Sequence, residues 1–213
     1  EKVRVGEKAI LNFEYPCAST EVTLQQSNRP PFYKSNNPSS VPFPPNYLIE
    51  NRNDTARNEC SLHLTINPVS RDDQGTYIPT AYKNGIMLPD YPRIYLGVDY
   101  PPGKASCELS NDYNDGEWVS LQCTAPVGTL PGQIVCYQND MRLPKGNELT
   151  ESDRNLNQLI LARLDSLVYC CSSVLTVMKD KCNCTDWGWD PISDSVSDIA
   201  DPCPQVASTH LPT

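Results

Sequence analysis

The segment Arg71-Asp72-Asp73-Gln74-Gly75-Thr76-Tyr77 constrains the fold more than any other stretch of this chain. Asp73, Gly75 and Tyr77 form D-x-G-x-Y, a corner in which a tyrosine hydroxyl bonds back to the backbone and pins a strand where it crosses between two packed sheets. The corner follows Leu62, Leu64 and Ile66, whose alternation is that of a half-buried strand. A fainter copy, Asp165…Tyr169-Cys170-Cys171, follows Leu159 and Leu161. Two such corners, roughly one domain length apart, predict two tandem all-β sandwiches.

Composition sets the compartment. Ten Cys and twenty Pro among 213 residues, with 8% aromatic residues, describe a disulfide-stapled, β-rich extracellular chain. The formal net charge is −9 and no run of Lys or Arg occurs, which argues against nucleic acid or an anionic membrane surface as partner. No apolar stretch approaches the roughly 18–20 residues of a membrane span. Glu1 opens directly onto a strand-like segment, so the chain reads as a mature ectodomain whose membrane anchor lies outside this sequence, or as a secreted protein.

The first domain is expected over residues 1–98. Ala9, Leu11 and Phe13 alternate after Gly6 and read as strand B of a sandwich. In immunoglobulin domains the residue seven after that Gly is the cysteine of the inter-sheet B–F bridge; here it is Phe13, and the partner position, two after Tyr77, is Pro79. Both halves are absent together, and Phe13 can fill the vacated space. The remaining pair, Cys17 and Cys60, falls at the end of strand B and the entry to strand E, which predicts a Cys17–Cys60 bridge. The strand-C tryptophan is absent too. Pro30, Pro31, Pro38, Pro42, Pro44 and Pro45 rule out a long strand at the sheet edge and read as an irregular loop packed on it. Asn84-Gly85 marks a hairpin between strands F and G. Ile86, Met87 and Leu88 follow it directly. Three consecutive apolar residues cannot all face a strand's core, which makes this tip a candidate contact site.

A Val98-Asp99-Tyr100-Pro101-Pro102 join, stiff through its prolines, leads to a second domain over 99–190. Val119, Leu121 and Cys123 read as its strand B; thirteen residues on, where tryptophan usually stands, is Cys136, and Cys171 lies two beyond Tyr169. That spacing predicts Cys123–Cys171 as the B–F bridge. The order of a V-like domain, Val-Asp-Tyr-Pro-Pro, an early Cys107, and a C-type domain with a late Cys182 resembles the two-domain V–C cell-surface proteins of the immunoglobulin superfamily. These are the junctional adhesion, coxsackie–adenovirus receptor and CTX group, and the V–C immune receptors of invertebrate chordates (lancelets). The resemblance covers roughly residues 1–185 at the level of pattern, and Phe13, Pro79, Cys136 and Cys170 depart from it. It implies a strand A–strand G bridge, Cys107–Cys182. Four cysteines remain, with three pairings open. Cys184–Cys203 would pin the tail and leave Cys136 with Cys170, although Cys170 should face away from Cys171 and the expected faces of the last pair disagree.

Residues 191–213, acidic and Ser- and Pro-containing, read as a tail or stalk, with Trp187 and Trp189 covering the base of the second domain. Asn53-Asp54-Thr55 and Asn183-Cys184-Thr185 are glycosylation acceptor patterns. Of the two histidines, His63 should point to solvent from strand E and His210 lies in the tail, so no Ser–His–acid or Cys–His arrangement is expected. Cys182-Asn183-Cys184 reads as disulfide rather than zinc chemistry, and no Gly-rich phosphate loop occurs. We therefore expect no enzyme, no cofactor and no metal. The expected function is extracellular recognition of a protein or microbial-surface ligand, as in innate immunity. Candidate contact residues are Tyr82, Lys83, Ile86, Met87, Leu88 and Tyr91 on strands F and G, with Phe32 and Tyr33 beside them. The alternatives are homophilic or heterophilic adhesion, with a homodimer through the same face, and a secreted receptor decoy.

Overall fold

Alternation along the chain decides which residues become buried. In the computed structural model, which describes residues 1–89, 91–196 and 203, the backbone divides into two compact units, Glu1–Tyr100 and Pro101 onward. Both are β-sandwiches.

In the first unit, β2 (Ala9–Glu14), β6 (Glu59–Ile66) and β5 (Tyr47–Asp54) form one antiparallel sheet in the order β2-β6-β5. The other sheet runs β1 (Lys2–Arg4), β9 (Ile94–Asp99), β7 (Gly75–Lys83), β3 (Glu21–Gln26), β4 (Tyr33–Lys34), with β8 (Ile86–Met87) pairing the end of β7. β1 runs parallel to β9. This is the V-type arrangement, in which a short first strand joins the last one. Ala9, Leu11 and Phe13 from β2 and Leu62, Leu64 and Ile66 from β6 meet Leu24, Tyr77, Leu96 and Val98 in one core. Phe13 is 2% exposed, so an aromatic ring occupies the core where a bridge would otherwise cross. Cys17 and Cys60 are bonded.

The corner is built as its motif requires. Asp73 ends a 3-10 turn whose capping box ties its carboxylate to the Ser70 amide and hydroxyl, at 2.7 and 2.8 Å. The Tyr77 hydroxyl donates to the Asp73 carbonyl at 2.8 Å, and the Tyr47 hydroxyl donates to the Asp73 carboxylate at 2.8 Å. The two hydroxyls lie 2.9 Å apart. Burial pushes the Tyr77 hydroxyl up to about 12, and burial together with Tyr77 and Asp73 pushes Tyr47 higher still. Gly75 sits at φ +151°, and a Cβ there would lie 2.9 Å from the Gln26 side-chain nitrogen, so glycine is required by both backbone and space.

The proline-rich loop carries one 3-10 turn, Pro38–Ser40, and the two-residue β4. Its Phe32 meets Tyr47 edge-on with ring centroids 5.2 Å apart, and Phe43 stands 6.4 Å from Phe32. Aromatic packing replaces ladder hydrogen bonds that proline cannot donate.

The second unit comprises β10 (Ser106–Asp115), β11 (Trp118–Pro126), β12 (Gly132–Gln138), β13 (Met141–Arg142), β14 (Thr150–Glu151), β15 (Asn155–Arg163), β16 (Val168–Val174), β17 (Trp187–Asp190) and β18 (Ser195–Val196). The sheets are ordered β10-β11-β15-β14 and β13-β12-β16-β17-β18, the C-type arrangement with the last hairpin added. Asn139 and Asp140 both take positive φ in the tight turn between β12 and β13.

Here the structure departs from the expected pairing by one residue. The buried set of β15 is Leu156, Gln158, Ile160 and Ala162, and Leu159 and Leu161 face the other way. On β16 the residues in the main core are Val168 and Cys170, while Cys171 belongs to a separate cluster with Val135, Tyr137 and Cys184 on the opposite face. A one-residue offset reverses every side chain of a strand. Tyr169 therefore shares the outer face with Cys171, and the fainter corner motif does not repeat the first domain's geometry. Cys123 consequently does not reach Cys171. The bonds are Cys107–Cys123, Cys136–Cys170, Cys171–Cys184 and Cys182–Cys203. Cys107 lies directly opposite Cys123 in the β10–β11 register, which takes it away from Cys182. Cys184 is buried against the outer face of β16, so Cys182, at 3-10 turn Lys181–Asn183, is the residue that holds Cys203. Cys136 and Cys170 face one another in register.

Trp189 is 3% exposed and packs in the main core with Cys136 and Cys170, supplying from β17 the bulk that strand C lacks. The tail begins with structure rather than a stalk. Asp190 accepts from the Ile192 amide at 2.9 Å and the Ser193 hydroxyl at 2.8 Å, closing the turn that returns β18 onto β17. These bonds hold the Asp190 carboxyl below its usual range. His210 and most of the tail lie outside the described residues.

Candidate recognition surface

The tip of the β7–β8 hairpin is built from its turn. Asn84 and Gly85 both take positive φ, 52° and 79°, as a two-residue hairpin turn of the primed type demands. Tyr82 pairs with Met87 and Lys83 with Ile86 across it. The tip is tied down from the neighbouring loop: the Thr20 amide donates to the Tyr82 carbonyl at 2.7 Å, and the Asn84 amide donates to the Thr20 hydroxyl at 2.9 Å. Ile86 and Met87 are 72% and 62% exposed on this anchored turn. Lys83 is exposed beside them and Tyr82 is half-buried.

The eight expected contact residues do not form one patch. Leu88 and Tyr91 are partly buried against the core, Leu88 drawn inward by its amide bond to the Ala81 carbonyl at 2.9 Å. Phe32 and Tyr33 are 8% and 9% exposed and belong to the core itself, because the proline-rich loop folds over the sheet edge and carries them in. Sequence reasoning missed Tyr95. It is 55% exposed on β9, between buried Leu96 and half-buried Ile94, and the same alternation that marks Ile94 and Leu96 as inward marks it as outward.

His63 takes the outer face of β6 as expected and lies 3.0 Å from the Ser61 hydroxyl. Glu50 stands opposite His63 in register, but its carboxylate is paired with Arg52 at 3.0 Å, and the three side chains lie on an open sheet face. Asn53 is exposed on β5. Asn183 is exposed as well, with its side-chain amide donating to Asp180 at 2.7 Å beside the buried Cys184.

No protein-family model matches the chain. Over 85 residues it is 31% identical to a CXADR-like membrane protein of Homo sapiens, an alignment that covers 40% of this chain and 22% of that protein. The Rattus norvegicus counterpart matches to the same extent. The chain thus aligns with 22% of the length of these curated relatives. Among solved structures, the full ectodomain of mouse nectin-like molecule 4 superposes with a TM-score of 0.50 at 15% identity, over 84% of this chain and 61% of that one. Bovine butyrophilin superposes with a TM-score of 0.45 at 14% identity, over 82% and 88%.

The two sandwiches define the class: an all-β, disulfide-bonded chain of two immunoglobulin-like domains. Within that class, the chain comprises two compact units and is similar over 85 residues to the CXADR-like membrane proteins. Among the described residues no helix is long and apolar enough to cross a membrane.

Proposed function

We propose that this chain is the recognition part of a cell-surface immunoglobulin-superfamily receptor, held outside the cell by an anchor beyond this sequence. Its first domain binds a protein or microbial-surface ligand through the β7–β8 hairpin, in innate immune recognition. The observation that carries this reading is Ile86 and Met87, 72% and 62% exposed at the tip of a hairpin tied to Thr20. Two exposed apolar side chains on a preorganised turn cost little entropy to bind and gain from burial. Lys83 and Tyr82 supply a polar and aromatic margin, the usual composition of a contact patch. Recognition also fits a chain whose Ser61–His63 pair stands on an open face rather than in a pocket.

The test uses Ile86→Asp with Met87→Asp. Sedimentation equilibrium from micromolar to near-millimolar concentration is combined with binding of the chain to isolated microbial cell walls. A monomer that binds cell walls and loses that binding on substitution supports the proposal. Self-association abolished by the substitution replaces it with homophilic adhesion through the same hairpin. Binding unaffected by the substitution overturns the hairpin as the contact.

A further inference from the structure

Two cystine bridges in the second unit are stacked across its core, and each stays within its own sheet. Cys107–Cys123 joins β10 to β11, and Cys136–Cys170 joins β12 to β16. Neither ties one sheet to the other. Cys123 Sγ nonetheless lies 4.0 Å from Cys136 Sγ, and all four sulfurs lie within 4.8 Å of one another. Four sulfurs can be joined in three ways, and two of those three join the sheets. Cys123, Cys136 and Cys170 are fully buried, and Cys107 is 6% exposed. Cys107 also lies on β10, an edge strand, which can peel from its single neighbour at a smaller loss of backbone hydrogen bonds than any interior strand. The cluster therefore has one point of entry and a second disulfide within reach of the first.

We propose that these four sulfurs form a thiol-triggered relay that converts the two in-sheet bridges into two cross-sheet bridges. The trigger is a small monothiol, which acts as its thiolate. It attacks Cys107 Sγ, breaks the bond to Cys123 and forms a mixed disulfide on Cys107. The released Cys123 thiolate attacks Cys136 Sγ, forming Cys123–Cys136 and expelling the Cys170 thiolate. The Cys170 thiolate then attacks Cys107 Sγ, forming Cys107–Cys170 and returning the small thiolate to solution. Two disulfides are broken and two are made, the thiol is regenerated, and no net oxidation or reduction occurs. In the in-sheet form no disulfide of this cluster crosses between the sheets, which are held by packing and by the Gln138 side chain, whose amide donates to the Arg163 carbonyl at 2.8 Å and whose oxygen accepts from the Arg163 amide at 2.9 Å. In the cross-sheet form β11 is bonded to β12 and β10 to β16, so a thiol-bearing environment changes how firmly the second domain is clamped.

The test maps disulfides in the whole native chain. The protein is incubated with glutathione under non-denaturing conditions, quenched with acid, alkylated, digested at low pH and analysed by mass spectrometry. Peptides linked through Cys123–Cys136 and through Cys107–Cys170 appear with time and stay absent without thiol. A second arm uses Cys107→Ser with Cys123→Ser, in which the internal nucleophile is gone and opening of Cys136–Cys170 slows by roughly tenfold or more. The relay is overturned if Cys136–Cys170 in the unsubstituted chain stays intact while Cys107–Cys123 opens. It is equally overturned if Cys136–Cys170 opens at an unchanged rate in the double variant. The time course in the unsubstituted chain decides the matter even if that variant does not fold.

Discussion

Replacing Tyr77 by Phe tests whether the corner hydroxyl holds the first domain together. Tyr77 is fully buried, so no water enters to replace its hydroxyl. The substitution strips the Asp73 carbonyl of its 2.8 Å donor. Tyr47 keeps its bond to the Asp73 carboxylate, so one buried acceptor, the Asp73 carbonyl, is left bare. A bare buried acceptor costs about 1–3 kcal/mol, so the loss should be about 2 kcal/mol. With a typical dependence on urea, the unfolding midpoint of the first domain should fall by about 1–2 M. The assay is built into the chain. Trp118, Trp187 and Trp189 all lie in the second unit, so tryptophan emission reports that unit while far-UV circular dichroism reports both. The shift is expected in circular dichroism. Tyr47→Phe should cost a similar amount, and the double variant less than the sum, because both hydroxyls donate to Asp73 and lie 2.9 Å apart. A Tyr77→Phe chain within about 0.5 kcal/mol of the parent, or strictly additive costs, would refute the reasoning.

Alkaline pH should act on the same pair. Tyr77 is raised to about 12 and Tyr47 is raised as well, from a usual value of 10.0. The folded state therefore holds these protons after the unfolded state has released them. Stability is fully present below pH 10 and is lost as pH rises above 10, through about 12 for Tyr77 and further for Tyr47, at up to about 1.4 kcal/mol per pH unit per tyrosine. Burial raises Tyr15 and Tyr33 as well, so titration at 295 nm should show a late group of first-domain tyrosines, with Tyr47 and Tyr77 ionising only as that domain unfolds. Cys17→Ser with Cys60→Ser opens a bridge of sequence separation 43 and should cost about 4 kcal/mol by loop entropy, read by calorimetry. Expression in a secretory host should place a glycan on Asn53, which is exposed, and leave Asn183 bare because its sequon contains the buried, bridged Cys184; intact mass before and after peptide N-glycosidase checks both.

Much of the first domain was legible because its signals are local. D-x-G-x-Y needs only five residues to place a buried hydroxyl beside its own carbonyl. Ala9, Leu11 and Phe13 state their face by period alone, and Asn84-Gly85 specifies a turn through positive φ. The joint loss of cysteine at Phe13 and Pro79 announced a core filled by a ring. Tyr95 was equally legible, since the alternation that turns Leu96 inward leaves Tyr95 outside.

What could not be read was set by register. Tyr169-Cys170-Cys171 offers two adjacent cysteines, and a period of two gives no preference between them until the strand is packed. Packing turned Val168 and Cys170 inward and Leu159 and Leu161 outward, and every disulfide of the second domain followed from that choice. Phe32 and Tyr33 went into the core for a similar reason: a proline-rich loop has no period, so Phe32 is placed by Tyr47 and Tyr77 and Tyr33 by its pairing with Leu24 across β3 and β4. The sequence by itself determined the class of fold, the corner and the hairpin, because each rests on interactions a few residues long. The tertiary structure alone decided which cysteines meet and which apolar residues stay exposed, because those depend on distances between strands that the chain brings together only when both sheets close on one core.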